Sequence, residues 1–397
     1  MEIYRVGGAV RDELLGLPVA DRDYVVVGST PEEMIRGGFK PVGKDFPVFL
    51  HPQTREEYAL ARTERKVRRG YRGFVVYASP EVTIEQDLAR RDLTINAIAK
   101  DARGNLVDPF GGERDLRAGL LRHVGPAFAE DPVRILRVAR FAARYGFRVA
   151  DDTMALMRQM VADGEAAALV PERVWQEFAK GLMEDGPERM FSVLAGSGLL
   201  EGLLPELALT FEDGAAANDA ARTVLSSLAY AARARLSLPV RFALLFSGLR
   251  GGEEAVRRNV GEVAARLRAP NDCRELAVAT LRYGQNAKRA ESLAPRSLLD
   301  LLEACDAFRR PGRLDELLLA CEAQTFGWRG WVDLPYPPRL VLARALAAAS
   351  GIDAGAVAAR SDRSRIAQNV RAARRAAIVR AAAKGYRGGV TRIRAQR

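Results

Sequence analysis

Cysteine and histidine are both scarce. The 397-residue chain carries three cysteines, Cys273, Cys305 and Cys321, and two histidines, His51 and His123. The three cysteines form no CxxC pair, which excludes a disulfide framework and points to a reducing compartment. Two histidines, both in the first third, are too few for a metal centre built on several imidazoles. No run of about 18 apolar residues occurs, so no membrane-spanning helix is expected. The opening Met1-Glu2-Ile3-Tyr4-Arg5 lacks the apolar core of a signal peptide. These absences lead to the expectation of a cytoplasmic protein.

What is present is ordinary in bulk and uneven in detail. Hydrophobic residues make up 48% and charged residues 28%, as in folded proteins generally, and the length suggests roughly two to four domains. Val, Ile and aromatics concentrate in the first 125 residues; Ala, Leu, Arg and Glu dominate afterwards. That shift predicts an α/β head followed by a helical remainder. The net charge is +11, and residues 360–397 hold twelve Arg or Lys against one acid, Asp362, so the tail carries the whole surplus. Such a tail suits a polyanion such as RNA; an Arg-rich solvated end with no specific partner is the plainer alternative.

The chemistry concentrates near the start. Gly7-Gly8-Ala9-Val10-Arg11-Asp12 reads as a turn opening a helix, and Asp21 to Val27 as a strand. Asp21 and Asp23, at i and i+2, point to one face because strand side chains alternate. Paired acids also occur in turns and caps, but these two lead into the apolar run Tyr24-Val25-Val26-Val27, which puts them at a sheet edge beside the core. Carboxylates so placed can bridge two divalent metals roughly 3.5–4 Å apart, activate a hydroxyl and stabilise a leaving pyrophosphate. Gly8 would admit a triphosphate by close backbone approach and Arg11 by charge, although Gly-Gly also makes a simple tight turn. A third acid is expected, with Glu57 the candidate on the strand after the Pro52-Gln53-Thr54 turn; its parity relative to Glu56 is open.

Two further clusters follow. Arg90-Arg91-Asp92, in a stretch over 83–99 that reads as helical, can bind phosphate and a ribose hydroxyl, or form a surface salt bridge. Glu130-Asp131-Pro132-Val133-Arg134 opens a helix with Asp131 at its cap and Pro132 in its first turn. Arg134, Arg137, Arg140 and Arg144 cover about a third of that helix's circumference, as a phosphate-binding stripe or a solvated face. Asp131 accepting and Arg134 donating, one turn apart, would admit cytosine and adenine, which pair an amine donor with a ring-nitrogen acceptor, and reject uracil and guanine.

These motifs in this order resemble the class II tRNA nucleotidyltransferases, the CCA-adding enzymes, of the DNA polymerase beta superfamily. The resemblance implies an α/β nucleotidyltransferase head (1–125), a helical neck (126–205), a helical body (206–359) and a basic tail (360–397). It implies Mg²⁺ on Asp21 and Asp23, with nucleotide contacts from Gly8, Arg11, Arg91, Asp92, Asp131, Arg134, Arg137 and Arg140. The implied partners are tRNA, with ATP and CTP as substrates and no DNA or membrane, for a monomer or homodimer. The basic segment 62–73 would help reorganise the site between C and A addition. Residues 20–60 resemble the longer proteobacterial form, which carries a C-terminal HD phosphohydrolase domain. Where its His-Asp pair would fall stand Phe246 and Ser247, so no phosphohydrolase activity is expected. A bacterial poly(A) polymerase and an RNA-binding relative without chemistry are the competing expectations.

Overall fold

The computed structural model describes residues 1–19, 21–42, 48–66, 74–208, 219–249, 252–327 and 334–383. The chain divides into two compact units, Met1–Ala208 and Leu209–Arg397.

The first unit is built on strands β1 (Glu2–Val6), β2 (Asp23–Val27), β3 (Lys40–Val42), β4 (Val48–Leu50), β5 (Glu57–Leu60), β8 (Ala99–Lys100) and β9 (Leu106–Val107). They form one mixed sheet in the order β3-β4-β5-β2-β1-β8-β9. A separate hairpin joins β6 (Arg62–Lys66) to β7 (Phe74–Ala78), and β10 (Leu120–Leu121) pairs with β11 (Arg148–Val149). Helices α1 (Gly8–Leu14), α2 (Pro31–Arg36), α3 (Ile84–Ala89) and α4 (Gly112–Arg117) accompany the sheet. The branched run of β2 explains why the sheet is filled on both sides. Val25 packs with Val6, Ile84, Leu88 and Ala97; its neighbour Val26 packs on the other face with Met34, Phe49, Tyr58 and Leu60. Each such side chain contributes about 1.5–3 kcal/mol when fully buried.

Two expectations need correction here. The strand begins at Asp23, and Asp21 lies in the segment leading into it. The stretch 83–99 is not one helix: α3 stops at Ala89, a 3₁₀ turn spans Thr94–Asn96, and β8 follows. The cause is local. The carbonyls of Arg90 and Arg91, which a continuing helix would use, accept from Arg134, and the Asp92 carboxylate takes the Leu93 N–H at 2.8 Å.

Helices α5 (Val133–Tyr145), α6 (Asp151–Ala162), α7 (Pro171–Met183), α8 (Pro187–Gly196), α9 (Leu199–Leu203) and α10 (Pro205–Ala208) complete the first unit. Both the expected head and the expected neck lie within it.

The second unit is helical among the described residues: α11 (Asp219–Arg233), α12 (Leu238–Leu244), α13 (Glu253–Leu267), α14 (Asn271–Lys288), α15 (Pro295–Ala304), α16 (Pro311–Phe326), α17 (Pro337–Ser350), α18 (Ala354–Ala359) and α19 (Ile366–Ala383). Phe246 is fully buried, its ring 5.2 Å from that of Phe242. The start of the tail is anchored: Arg371 bonds Glu303 at 2.9 Å, and the Arg374 guanidinium sits 4.0 Å from the Phe308 ring centre. Of the basic segment 62–73, residues 67–73 lie outside the described residues, as do 384–397 of the tail. No described helix is long and apolar enough to cross a membrane.

Candidate active site

Sheet register assembles the carboxylates. β2 runs parallel to β5 with Asp23 opposite Glu57, and antiparallel to β1 with Asp23 opposite Val6. Directly paired residues share a face, so Glu57 stands beside Asp23. Glu56 and Arg22 belong to the opposite parity, where they meet at 3.6 Å; the stacked rings of Tyr24 and Tyr58, 4.5 Å apart, mark the same register. Asp21, Asp23 and Glu57 line one open cavity of about 610 Å³. Three carboxylates are hard oxygen donors of the kind Mg²⁺ takes. Among the described residues no group of three or more His, Cys, Asp or Glu side chains is arranged to hold a metal ion; these acids line an open cavity.

Past Val6 the chain turns at Gly7, whose φ of +65° belongs to the left-handed region that glycine tolerates. A Cβ on Gly7 would lie 2.7 Å from the Arg91 guanidinium. The conformational demand therefore falls on Gly7, while Gly8 opens α1. Arg91 donates to Asp87 at 3.3 Å and to the Asn96 carbonyl at 3.4 Å, and its buried Nε has no partner. It also acts on Asp23. Desolvation raises the Asp23 carboxyl, the Arg91 charge pulls it down, and Asp21 adds to the rise. Asp87, 0% exposed, organises this corner by accepting from Arg90 at 2.8 Å and from the Arg62 N–H at 3.3 Å. The sequence analysis missed Asp87. The signal was its spacing of three and four residues from the two arginines.

Arg11 occupies a different position from the one its charge suggested. It is 4% exposed, donates to Asp12 at 2.8 Å and to the Asn96 side chain, and lies 5.1 and 5.0 Å from the ring centres of Phe141 and Tyr145. Asp12 in turn accepts from Tyr145 at 2.9 Å and Arg144 at 3.1 Å. Arg11 thus ties α1 to α5.

The arginines of α5 do not form a free basic stripe. Arg137 donates to Asp92 at 2.7 Å, and Arg140, 9% exposed, to Glu177 at 2.6 Å. Arg140 also approaches Glu184 and Arg137 approaches Glu177, both at 3.6 Å. For Arg137 and Arg140 the partners come largely from α7 and its end, so these two form an ion ladder between two helices. Asp92, expected at a ribose, is itself 7% exposed and bonds Arg137, Asn96 and the Leu93 N–H. Burial alone would raise its carboxyl; Arg137, the bonds from Asn96 and Arg137, and Arg134 overcome this and hold it far below the usual carboxylate range.

Asp131 and Arg134 are brought to one corner, each held by other groups. Arg173 of α7 clamps Asp131 with bonds of 2.7 and 3.1 Å, and Asp131 also takes the Val133 N–H. Arg134 donates to the carbonyls of Arg90 and Ala127 at 2.7 and 3.0 Å. Arg173 and Glu177 carried no local sequence signal, since their partners lie 42 and 37 residues away.

Residues 3–122 match the profile described as "Poly A polymerase head domain", and 146–210 that described as "Probable RNA and SrmB- binding site of polymerase A". The "Multifunctional CCA protein" of Chromobacterium violaceum is 56% identical over 96% of this chain and 98% of its own length. That of Nitrosomonas eutropha is 53% identical over 90% and 91%. The chain belongs to the family of CCA-adding proteins. Its fold is that of the Bacillus stearothermophilus CCA-adding enzyme solved in complex with CTP, with a TM-score of 0.67 and 24% identity over 95% of this chain and 88% of that one. A CCA-adding enzyme solved with ATP gives the same TM-score at 21% identity, over 95% and 86%. Nucleotidyltransferases of this kind work with divalent metal.

Proposed function

We propose that this CCA-adding nucleotidyltransferase completes and repairs the 3′ end of tRNA at the cavity lined by Asp21, Asp23 and Glu57, taking CTP and ATP without a nucleic-acid template. The observation that carries the site assignment is the register that sets Glu57 and Gly7 on opposite flanks of Asp23. Asp21 and Asp23, with Glu57 as third acid, are the residues that would hold Mg²⁺, and the chemistry the ion would supply there is activation of the primer hydroxyl and neutralisation of the leaving pyrophosphate. Arg91 offers its unpartnered Nε beside the left-handed turn, where the triphosphate lies against Gly7 and Gly8. Arg11, Arg137, Arg140 and Asp92 support the pocket by holding α1, α5 and α7 together.

Base choice falls to Asp131 and Arg134. An ionised carboxylate has about four acceptor positions, and three on Asp131 are used. The fourth, on Oδ2, suits the exocyclic amine of C or A. We place the protein in the cytoplasm with its tRNA.

The test is incorporation of labelled CTP and ATP into tRNA lacking its last three nucleotides. Asp21→Ala or Asp23→Ala abolishes incorporation while tRNA binding persists; full activity in either variant overturns the assignment. The head profile's poly(A) polymerase name motivates a control with ATP alone. Long A-tails made without CTP favour that reading.

A further inference from the structure

One wall of the cavity is the turn between β4 and β5, residues 51–56, which contributes Thr54, Arg55 and Glu56. It is closed by the His51 N–H to the Glu56 carbonyl at 3.0 Å and the Arg55 N–H to the His51 carbonyl at 3.1 Å. The His51 ring nitrogen Nδ1 accepts the Gln53 and Thr54 N–H groups at 3.3 and 3.2 Å. This geometry sets Arg55 at φ +64°, a left-handed conformation that a glycine or asparagine adopts far more readily. A bulky residue kept at such a position directs attention to its side chain. The turn makes no use of that side chain. Arg55 is exposed and has no ion pair or side-chain hydrogen bond among the described residues, whereas Arg22 beside it is engaged by Glu56. Arg55 lines the same cavity as Asp21, Asp23 and Glu57. It is a guanidinium next to carboxylates, left unpaired by them.

We propose that Arg55 binds a backbone phosphate of the RNA primer next to the 3′-hydroxyl that reacts. The proposal rests on the functional reading above, in which the triphosphate takes the Gly7 and Arg91 flank. The primer must then approach Asp21 and Asp23 from the β5 side, where its phosphate is the anion that comes nearest Arg55. A guanidinium suits that role because its fork matches two phosphate oxygens.

Steady-state kinetics on tRNA lacking its terminal nucleotides, with Arg55→Gly, Arg55→Lys and Arg55→Glu, test this. Arg55→Gly relaxes the backbone, so its melting temperature holds or rises. Its KM for tRNA rises about five- to tenfold, with kcat and the KM for CTP within about twofold, and the slope of log KM against log salt falls by about 1. Arg55→Lys recovers part of the loss, and Arg55→Glu is worse than glycine. An unchanged tRNA KM and salt slope in Arg55→Glu overturns the proposal, as does a rise in the KM for CTP alone. Wild-type protein that adds no nucleotide to any RNA would defeat the functional reading instead; normal wild-type addition with an indifferent Arg55 defeats only this inference.

Discussion

Gly7 illustrates how much one backbone angle can govern. With φ at +65° and Arg91 standing where a Cβ would go, Gly7→Ala must strain the turn and displace the guanidinium. The expected outcome is a loss of nucleotide addition of about a hundredfold or more, with far-ultraviolet circular dichroism unchanged; near-normal addition would show that Arg91 does not need this contact. At Asp131, truncation to alanine removes the proposed amine acceptor and the carboxylate that Arg173 clamps. Asp131→Ala should therefore lose C and A addition, or lose discrimination against UTP and GTP, more than it loses triphosphate affinity. Single-nucleotide incorporation measured with all four triphosphates checks this, and unchanged discrimination counts against base reading by this residue. The strand at Asp23 was legible because its apolar run is local, although Asp21 falls just outside it and joins Asp23 only as lining of one cavity. The partnership of Asp131 with Arg173 was not, because it joins residues 42 apart.

The helices α5 and α7 show the same limit at the next scale. Helical periodicity revealed that Arg134, Arg137, Arg140 and Arg144 share a face, and the amphipathic pattern left two occupants for it, phosphate or water. The actual occupant for Arg137 and Arg140 is a set of acids, Asp92, Glu177 and Glu184, of which two lie on α7 or at its end. Long-range ion pairs leave no periodic trace in a single sequence. Removing one member should be costly, since Arg140 loses its nearest carboxylate and keeps only Glu184: Glu177→Ala is expected to destabilise the first unit by about 1.5–3 kcal/mol, read from denaturant unfolding. Asp92 adds a pH signature. Its carboxyl is depressed in the folded state, so its contribution is complete above the unfolded value of about 4 and drains away as pH falls through the folded one. Asp92→Asn should be less stable than wild type at neutral pH, and the gap should narrow on acidification below about pH 4. A gap in melting temperature that stays constant with pH would contradict this. The β2–β5 register belongs to the same class of hidden facts: the strand types were readable, but the choice of parallel partner is non-local, so Glu57's parity stayed open until the sheet was seen.

At the scale of the whole molecule, the split into an α/β part and a helical part followed from composition alone, because β-branched and aromatic residues crowd the first 125 positions. The relatives carry the name multifunctional, yet this chain has no histidine after His123. Phe246, where a metal-binding His-Asp pair would begin, is packed into the interior of the second unit. Hydrolysis of p-nitrophenyl phosphate or a 2′,3′-cyclic nucleotide, assayed with added nickel, cobalt or magnesium, should not exceed the metal-only rate; turnover that scales with enzyme would refute the expectation.

The contact of α1 with α5 bears on where this protein can be divided. Its two sides lie more than a hundred residues apart in the chain: Asp12 of one meets Tyr145 of the other, and Arg11 is enclosed by Phe141 and Tyr145. A fragment ending near residue 125 would open a buried guanidinium and a buried carboxylate to water and strip an aromatic cover from both. The catalytic sheet is thus not a portable module that recombination or protein engineering can lift out by itself. The smallest transferable piece runs to about residue 208, so the strands that carry Asp23 and Glu57 and the helices that carry Arg134 and Arg173 are inherited together.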